Sequence, residues 1–157
     1  MTYSAYMEIL IRPLSATDKD RWLELWNGYL SFYKVTLANE QTELTWTRLM
    51  DQTFNMYGLA AELAGNFIGI THYNFQNTTW SINGHCYLED LFVDPEVRRS
   101  GAGRSLINRV IEIGKEHKCS RVYWNTDESN TEARILYDSF ALESGKRQYR
   151  LAISNEE

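Results

Sequence analysis

Apolar side chains recur at two different periods along this chain, and each period predicts its own kind of element. Runs with the two-residue period of strands occupy residues 8–12, 56–63, 67–75, 87–93 and 121–126, and weaker ones occupy 142–144 and 148–153. Apolar residues three and four apart predict helices over 19–33, 42–51, 104–117 and 130–140. The predicted order is therefore β-α-α-β-β-β-α-β-α-β-β.

This order predicts the fold class. The turn at 64–66 joins two strands as an antiparallel hairpin, whereas the helix after residue 103 makes one strand–helix–strand crossover. We expect an α/β chain of the α+β type, with a single mixed, mostly antiparallel sheet of about seven strands and about four flanking helices. No repeat or linker interrupts the pattern, so residues 1–157 are predicted to form one domain, with 1–7 as a loose end.

Composition and charge narrow the function classes. With 43% hydrophobic and 24% charged residues the chain is of ordinary globular type, and a net charge of −5 argues against nucleic-acid binding. Cys86 and Cys119 provide neither a disulfide framework nor a metal cluster, so we expect reduced thiols and no metal. No signal peptide or membrane span is evident, so the expected compartment is the cytosol, or the nucleus in a eukaryote.

The strand at 87–93 leads into a turn that combines arginines and glycines, and an amphipathic helix follows at once. The first N–H groups of a helix lack internal partners and lie at the positive end of its dipole, which favours an anion. Gly101 and Gly103 allow close approach to the backbone, and Arg98, Arg99 and Arg104 add positive charge. The sequence thus predicts an anion site, although a plain strand–helix loop with glycines for tightness would look similar.

Two well-known phosphate loops do not fit this turn. A Walker-type loop ends in Gly-Lys-Ser/Thr, but Gly103 is followed by Arg104 and Ser105. A dinucleotide fingerprint requires a third glycine where Leu106 stands, and the 30 residues after Asp127 are too few for further parallel units. Neither nucleotide class is therefore expected.

The motif Arg98-x-x-Gly101-x-Gly103 resembles the acyl-CoA-binding motif of the Gcn5-related N-acetyltransferase (GNAT) family. The preceding Leu91-Phe92-Val93-Asp94-Pro95 is similar to the strand that pairs with pantetheine in that family, and Asn130-x-x-Ala133-x-x-Leu136-Tyr137 resembles its second motif. Tyr87-Leu88-Glu89-Asp90-Leu91 looks closest to the histone/polyamine branch, near the diamine acetyltransferases. The resemblance implies an acyl-CoA N-acyltransferase fold and acetyl-CoA as cosubstrate.

The same resemblance implies roles for individual residues. The main chain of Leu91 and Val93, with Phe92 between them, would pair with pantetheine, and Asn130 would bind the cofactor arm. The pyrophosphate would be held by the loop of Arg98, Arg99, Ser100, Gly101, Ala102, Gly103 and Arg104. Tyr137, also in contact with the cofactor, would protonate the leaving thiolate, and Glu89 would take a proton from the attacking amine, directly or through water.

These roles agree with elementary chemistry. An alkyl ammonium must lose a proton before it attacks a thioester, and a carboxylate of raised pKa or a water relay can accept that proton. Neighbouring residues of a regular strand point to opposite faces, so only one of Glu89 and Asp90 is expected to face the acetyl group. Each could instead form only a salt bridge, and Tyr137 could be only a packed aromatic residue.

The charge pattern supports the acceptor class that the resemblance to the polyamine branch implies. Acidic side chains gather near the expected substrate side and would attract a polyamine or a lysine-rich peptide, with aromatic rings available for cation–π contact. The candidates are Tyr33, Trp80, Glu89, Asp90, Asp127 and Glu128, with Trp46 as a further ring. Trp80 could instead fold back onto the core, and the acids before a helix could serve only as caps.

Other functions stay open at this point. The chain could acetylate small amino acids or other amine metabolites, or it could bind CoA without turnover as a sensor. The intact Glu89 and Tyr137 favour an enzyme. The family usually ends its second motif with Gly-Phe, where this chain has Ser139-Phe140, so the geometry of that turn is in question. By resemblance to its branch, we expect a homodimer or a larger homo-oligomer.

Overall fold

The computed structural model of the protein describes residues 8–154, so the expected loose end at 1–7 lies outside the described residues. The strands are β1 (Ile9–Pro13), β2 (Tyr57–Leu63), β3 (Asn66–Gln76), β4 (His85–Val93) and β5 (Val122–Tyr123). The α-helices are α1 (Lys19–Phe32), α2 (Asn39–Met50), α3 (Ala102–Glu116) and α4 (Thr131–Asp138). Short 3₁₀ turns occupy Ala16–Asp18 and Pro95–Val97.

The strands form one sheet in the order β1-β2-β3-β4-β5. The first three pairings are antiparallel and the β4–β5 pairing is parallel, which confirms the mixed, mostly antiparallel sheet. The prediction of seven strands was wrong: the described residues form five. Residues 142–144 and 148–153 are not strands, and Tyr149, Leu151 and Ile153 are almost fully exposed. Alternating apolar residues make a strand only where a neighbouring edge pairs with them.

Contacts divide the chain into two compact units, with the boundary after Trp124. The first unit holds the whole sheet with α1, α2 and α3, and the second holds α4 and the residues that follow it. All the strand pairings of the sheet therefore lie within the first unit.

The core of the first unit is rich in tryptophan. Trp22, Leu25 and Trp26 lie three and four residues apart on α1, so they share one helical face that becomes buried. They pack with Trp46 of α2, whose ring centroid lies 5.0 Å from that of Trp22, and with Ile70 of β3. Burial of Trp46 in this core means that it is not the cation–π residue suggested by the sequence.

Helices α1 and α3 cover opposite faces of the sheet. Ile70 packs into the tryptophan core below α1, whereas a Cβ built on its neighbour Gly69 would lie 3.5 Å from Leu106 of α3. Neighbouring residues of a strand point to opposite faces. The buried side of α3, with Leu106, Ile107 and Val110, therefore fixes the start of this helix at the end of β4.

Among residues 8–154, no helix is both long and apolar enough to cross a membrane. The same residues contain no cluster of histidine, cysteine and acidic side chains that could hold a metal ion. Cys86 is buried and Cys119 is partly buried, and both are free thiols.

Candidate active site

The β4 strand leaves part of one edge open. On one side it pairs with β3 along its length, from His85 to Val93. On the other side, β5 pairs only with Cys86 and Tyr87 within the described part of the chain. Beyond Tyr87 the two parallel strands separate, and the peptide groups of the next residues have no strand ladder on that side. An extended ligand can add there as a strand would.

The turn after β4 has the geometry expected of an anion site. Asp94 caps it by accepting the Glu96 N–H at 3.0 Å. Arg99 (φ 65°) and Gly101 (φ 86°) both adopt the left-handed region, which lets the chain reverse directly into α3. The helical ladder begins with the Ser105 N–H, which donates to the Gly101 carbonyl at 3.0 Å. The N–H groups before that bond lie in the first turn of the helix, at its positive end.

The side chains around this turn comprise one buried residue and three exposed arginines. Ala102 is buried and holds the first turn of α3 against the sheet. Arg98, Arg99 and Arg104 are exposed, and the Arg98 guanidinium lies 5.9 Å from the centroid of the Phe32 ring. The Phe92 side chain is buried in the tryptophan core, so any contact that it makes with a cofactor must use its main chain.

Glu89 lies at a β-bulge in β4. His72 of β3 pairs with Asp90, but the next pair joins Tyr73 to Leu88. Glu89 is therefore an extra residue that has no paired residue on β3. A bulge interrupts the strict alternation of side chains. The expectation that Glu89 and Asp90 point to opposite faces assumed a regular strand, and the bulge removes that assumption for these two residues.

The two adjacent carboxylates have different surroundings. Part of the Glu89 side chain is exposed to solvent. The protein atoms packed around it nevertheless desolvate the carboxylate, which raises the pKa of Glu89 above its ordinary value. The negative charge of Asp90 adds to that rise, and a positive charge on His72 would oppose it. Asp90 is mostly buried, with 14% of its side chain exposed, and its Oδ2 atom lies 3.0 Å from His72 Nδ1.

His72 connects this carboxylate to the tryptophan core. The Trp22 indole N–H donates to His72 Nε2 at 3.0 Å, and both side chains are buried. Tyr29 interacts with Asp90 from α1, and burial together with the Asp90 charge raises the pKa of Tyr29 well above that of free tyrosine. The sequence analysis did not identify His72, although a histidine inside the apolar β3 pattern was a signal that could have been used.

The second unit holds the remaining predicted residues. Asn130 caps α4 by accepting the Ala133 N–H through Oδ1 at 3.4 Å, and Tyr137 lies half-buried on the same helix. Asp127 and Glu128 are exposed in the turn before α4, where the Glu128 carbonyl accepts a hydrogen bond from Arg134. Ser139 ends the helix in the right-handed region, so the turn does not require the glycine that the family usually has there.

Two aromatic candidates for substrate contact lie in the first unit. Tyr33 ends α1, and its ring centroid lies 4.8 Å from that of Tyr29. Trp80 lies in the loop before β4 and is 85% exposed, so it does not fold back onto the core. Only Tyr33 is connected through direct ring contact to the residues around Asp90.

Comparison with known proteins identifies the family. The sequence profile described as "Acetyltransferase (GNAT) family" matches residues 19–141, most of the chain. The chain belongs to the GNAT acetyltransferases. It is therefore an acetyl-CoA-dependent N-acetyltransferase, and the open β4 edge and the turn at Arg99–Gly101 fit an extended cosubstrate with an anionic end.

Relatives of this acetyltransferase act on different amines. The D-amino-acid N-acetyltransferase HPA3 of Saccharomyces cerevisiae is 32% identical over 144 residues, which cover 90% of this chain and 89% of that protein. The spermine/spermidine N(1)-acetyltransferase of Bacillus subtilis is 29% identical over 91 residues, 57% of this chain and 51% of that protein. The aminoglycoside N-acetyltransferase AAC(6')-Iy, solved with a CoA bisubstrate analog, shares the fold: the TM-score is 0.80 at 18% identity, covering 94% and 99% of the two chains.

Proposed function

We propose that this acetyltransferase transfers the acetyl group to the primary amine of a cationic acceptor, a polyamine or diamine or a lysine side chain. The observation that carries the proposal is the pair of carboxylates at the β4 bulge, beside the open strand edge. Glu89 has a raised pKa, as suits a group that must accept a proton near neutral pH. A second acid directly beside it favours an acceptor that arrives as a cation.

The proposed reaction is a direct attack. Glu89, or a water bound to it, accepts one proton from the acceptor ammonium, and the freed nitrogen attacks the thioester carbonyl carbon. The C–N bond forms as the C–S bond breaks, and the Tyr137 hydroxyl protonates the leaving sulfur. The nitrogen loses its second proton to the tyrosinate, which restores the phenol. The pKa values of phenols and alkyl thiols are close enough for this exchange.

A small amino acid is the second candidate acceptor. It is supported by the yeast relative named for D-amino acids, which matches nine-tenths of the chain. Such a substrate carries a carboxylate next to its amine, and that carboxylate would be repelled by Glu89 and Asp90 unless a cation lay nearby. The charge at the bulge therefore favours the polyamine or lysine acceptor.

The experiment that tests the proposal is a thiol-release assay with acetyl-CoA and a matched panel of acceptors. The panel contains a diamine, a triamine, a lysine peptide and the two enantiomers of one amino acid. We expect the largest kcat/KM for the acceptors without a carboxylate. A preference for the D-amino acid would replace the first candidate by the second. Tight binding of acetyl-CoA without thiol release for any amine would refute the catalytic role and leave the sensor.

A further inference from the structure

His72 of β3 is hydrogen-bonded at both ring nitrogens in a buried setting. An indole N–H is only a donor, so the bond from Trp22 requires an unprotonated Nε2 on His72. In the neutral ring the proton must then be on Nδ1, which donates to Asp90 Oδ2 at 3.0 Å. If Nε2 were protonated, its N–H group would face the Trp22 indole N–H, and the core would contain two donors without an acceptor between them. The bond from Trp22 therefore selects the Nδ1-protonated tautomer of His72.

The surroundings of the ring keep it in one orientation. Its centroid lies 6.1 Å from that of Trp22 and 5.4 Å from that of Trp26, and His72 is only 3% exposed. His72 and, from α1, Tyr29 both contact Asp90, and the raised pKa of Tyr29 keeps it a neutral phenol. Both contacts hold the carboxylate without cancelling its charge. An arginine in either place would have neutralised it.

We propose that His72 is a positioning residue: the chain of hydrogen bonds Trp22–His72–Asp90 fixes the Asp90 carboxylate beside Glu89, where it attracts and orients the ammonium group of the acceptor. Asp90 thus sets affinity for a cationic acceptor, whereas Glu89 takes the proton. The inference rests on the proposed transfer to an amine. It adds that His72, a buried residue outside the cofactor turn, controls the affinity for the amine.

Two substitutions at His72 separate its hydrogen bonds. The amide nitrogen of asparagine can take the place of Nδ1 and donate to Asp90, whereas the amide oxygen of glutamine can take the place of Nε2 and accept from Trp22. We expect His72→Gln to raise the KM for the amine about tenfold or more, because a hydrogen bond to a charged group is lost. His72→Asn should retain most of the affinity for the amine. The KM for acetyl-CoA should not change in either variant.

A double-mutant cycle shows whether His72 acts through Asp90. Asp90→Asn should itself raise the KM for the amine, and adding His72→Gln to it should cause no further rise. If the increases in the amine KM caused by the two substitutions multiply in the double variant, His72 acts independently of Asp90 and the inference is overturned. Equal effects of His72→Gln and His72→Asn on the amine KM would do the same, since they would indicate only disturbed packing.

An NMR measurement tests the arrangement independently of turnover. The ¹⁵N shifts of the imidazole, assigned by comparison with the His72→Gln variant, should show the tautomer protonated on Nδ1. An Nε2-protonated ring or an imidazolium would overturn the inference. If the tautomer is as expected but no amine supports thiol release, the proposed function fails while the hydrogen-bond arrangement stands.

Discussion

At the scale of single residues, two adjacent acids perform different tasks because their neighbours differ. Glu89 is an unpaired extra residue of the bulge with a raised pKa, and Asp90 is fixed by uncharged donors. A like charge nearby disfavours ionisation, so part of the Glu89 shift depends on Asp90. The proposal that Glu89 accepts the proton while Asp90 attracts the cation can therefore be tested by measuring how activity depends on pH.

The pH profile of kcat/KM should report Glu89. The base must be ionised, so activity is present above its raised pKa and is lost as the pH falls through that value. Asp90→Asn removes the neighbouring charge, lowers the pKa of Glu89 and should move the acidic limb to lower pH. Glu89→Gln should lower kcat by about 10²–10⁴. An acidic limb that is identical in wild type and Asp90→Asn would contradict the assignment.

Tyr137 is the proposed proton donor to the thiolate. Tyr137→Phe keeps the ring that packs on α4 and removes only the hydroxyl, so kcat should fall by about 10²–10⁴ while the melting temperature changes little. Tyr149→Phe, in an exposed segment of the same unit, is the matched control and should leave kcat unaltered. Full turnover in Tyr137→Phe would remove the residue from this role.

At the scale of elements, the cosubstrate site depends on where strands and helices stop. The β4–β5 pairing ends after two residue pairs, which opens the β4 edge, and a turn over residues 94–101 separates the end of β4 from the start of α3. Gly101, in the left-handed region, lies directly before the first residue of α3 in the turn that follows β4. A Cβ on Gly101 would meet no atom within 4 Å, so a substitution there acts through the backbone and not through a clash.

Gly101→Ala should weaken acetyl-CoA binding by disturbing the first turn of α3. The hairpin between β2 and β3 offers a matched control, because Gly65 has φ 79° and equally open surroundings. Each alanine should destabilise the protein by about 1–2 kcal/mol, since both force an L-residue into the left-handed region. Only Gly101→Ala should raise the dissociation constant of acetyl-CoA in calorimetry. Equal affinities in the two variants would argue against an anion site at this turn.

At the scale of the whole molecule, the first unit is stabilised where its first strand meets its first helix. Arg12 of β1 bonds both carboxylate oxygens of Asp18 at 2.7 and 2.8 Å and also reaches Glu62 of β2. Asp18 in turn accepts the Ser15 N–H at 2.7 Å and is largely buried. The Arg12 hydrogen bonds, opposed by burial, lower the pKa of Asp18 below its ordinary value.

This lowered pKa predicts an acid-dependent stability. A carboxylate with a depressed folded-state pKa stabilises the protein above its unfolded pKa, and that stabilisation is lost as the pH falls through the folded value. Asp18→Asn should therefore cost about 1–3 kcal/mol near neutral pH. The difference between wild type and variant should shrink below about pH 4. Urea unfolding at several pH values measures it, and a difference that is independent of pH would contradict the charge-based explanation.

The sequence predicted what local periodicity controls. The buried stripes of α1 and α3 and the hairpin at residues 64–66 were sufficient to predict these elements, and the glycine motif located the turn that leads into α3, although its left-handed backbone was not predicted. The last two strands were wrong because alternation does not supply a pairing partner. The bulge at Glu89 was not predictable, since it exists only in the register between β3 and β4. His72 escaped notice because its partner Trp22 lies 50 residues away in sequence.

The tryptophan core gives the molecule an optical property. Trp22, Trp26 and Trp46 are buried together, whereas Trp80 is exposed and Trp124 is partly exposed, so the emission contains a core component and a solvent component. A protonated imidazole quenches an adjacent indole, and His72 lies directly against Trp22. Protonation of that ring should therefore lower the core emission. The fluorescence of the unlabelled protein thus reports whether the ring beneath Asp90 remains neutral.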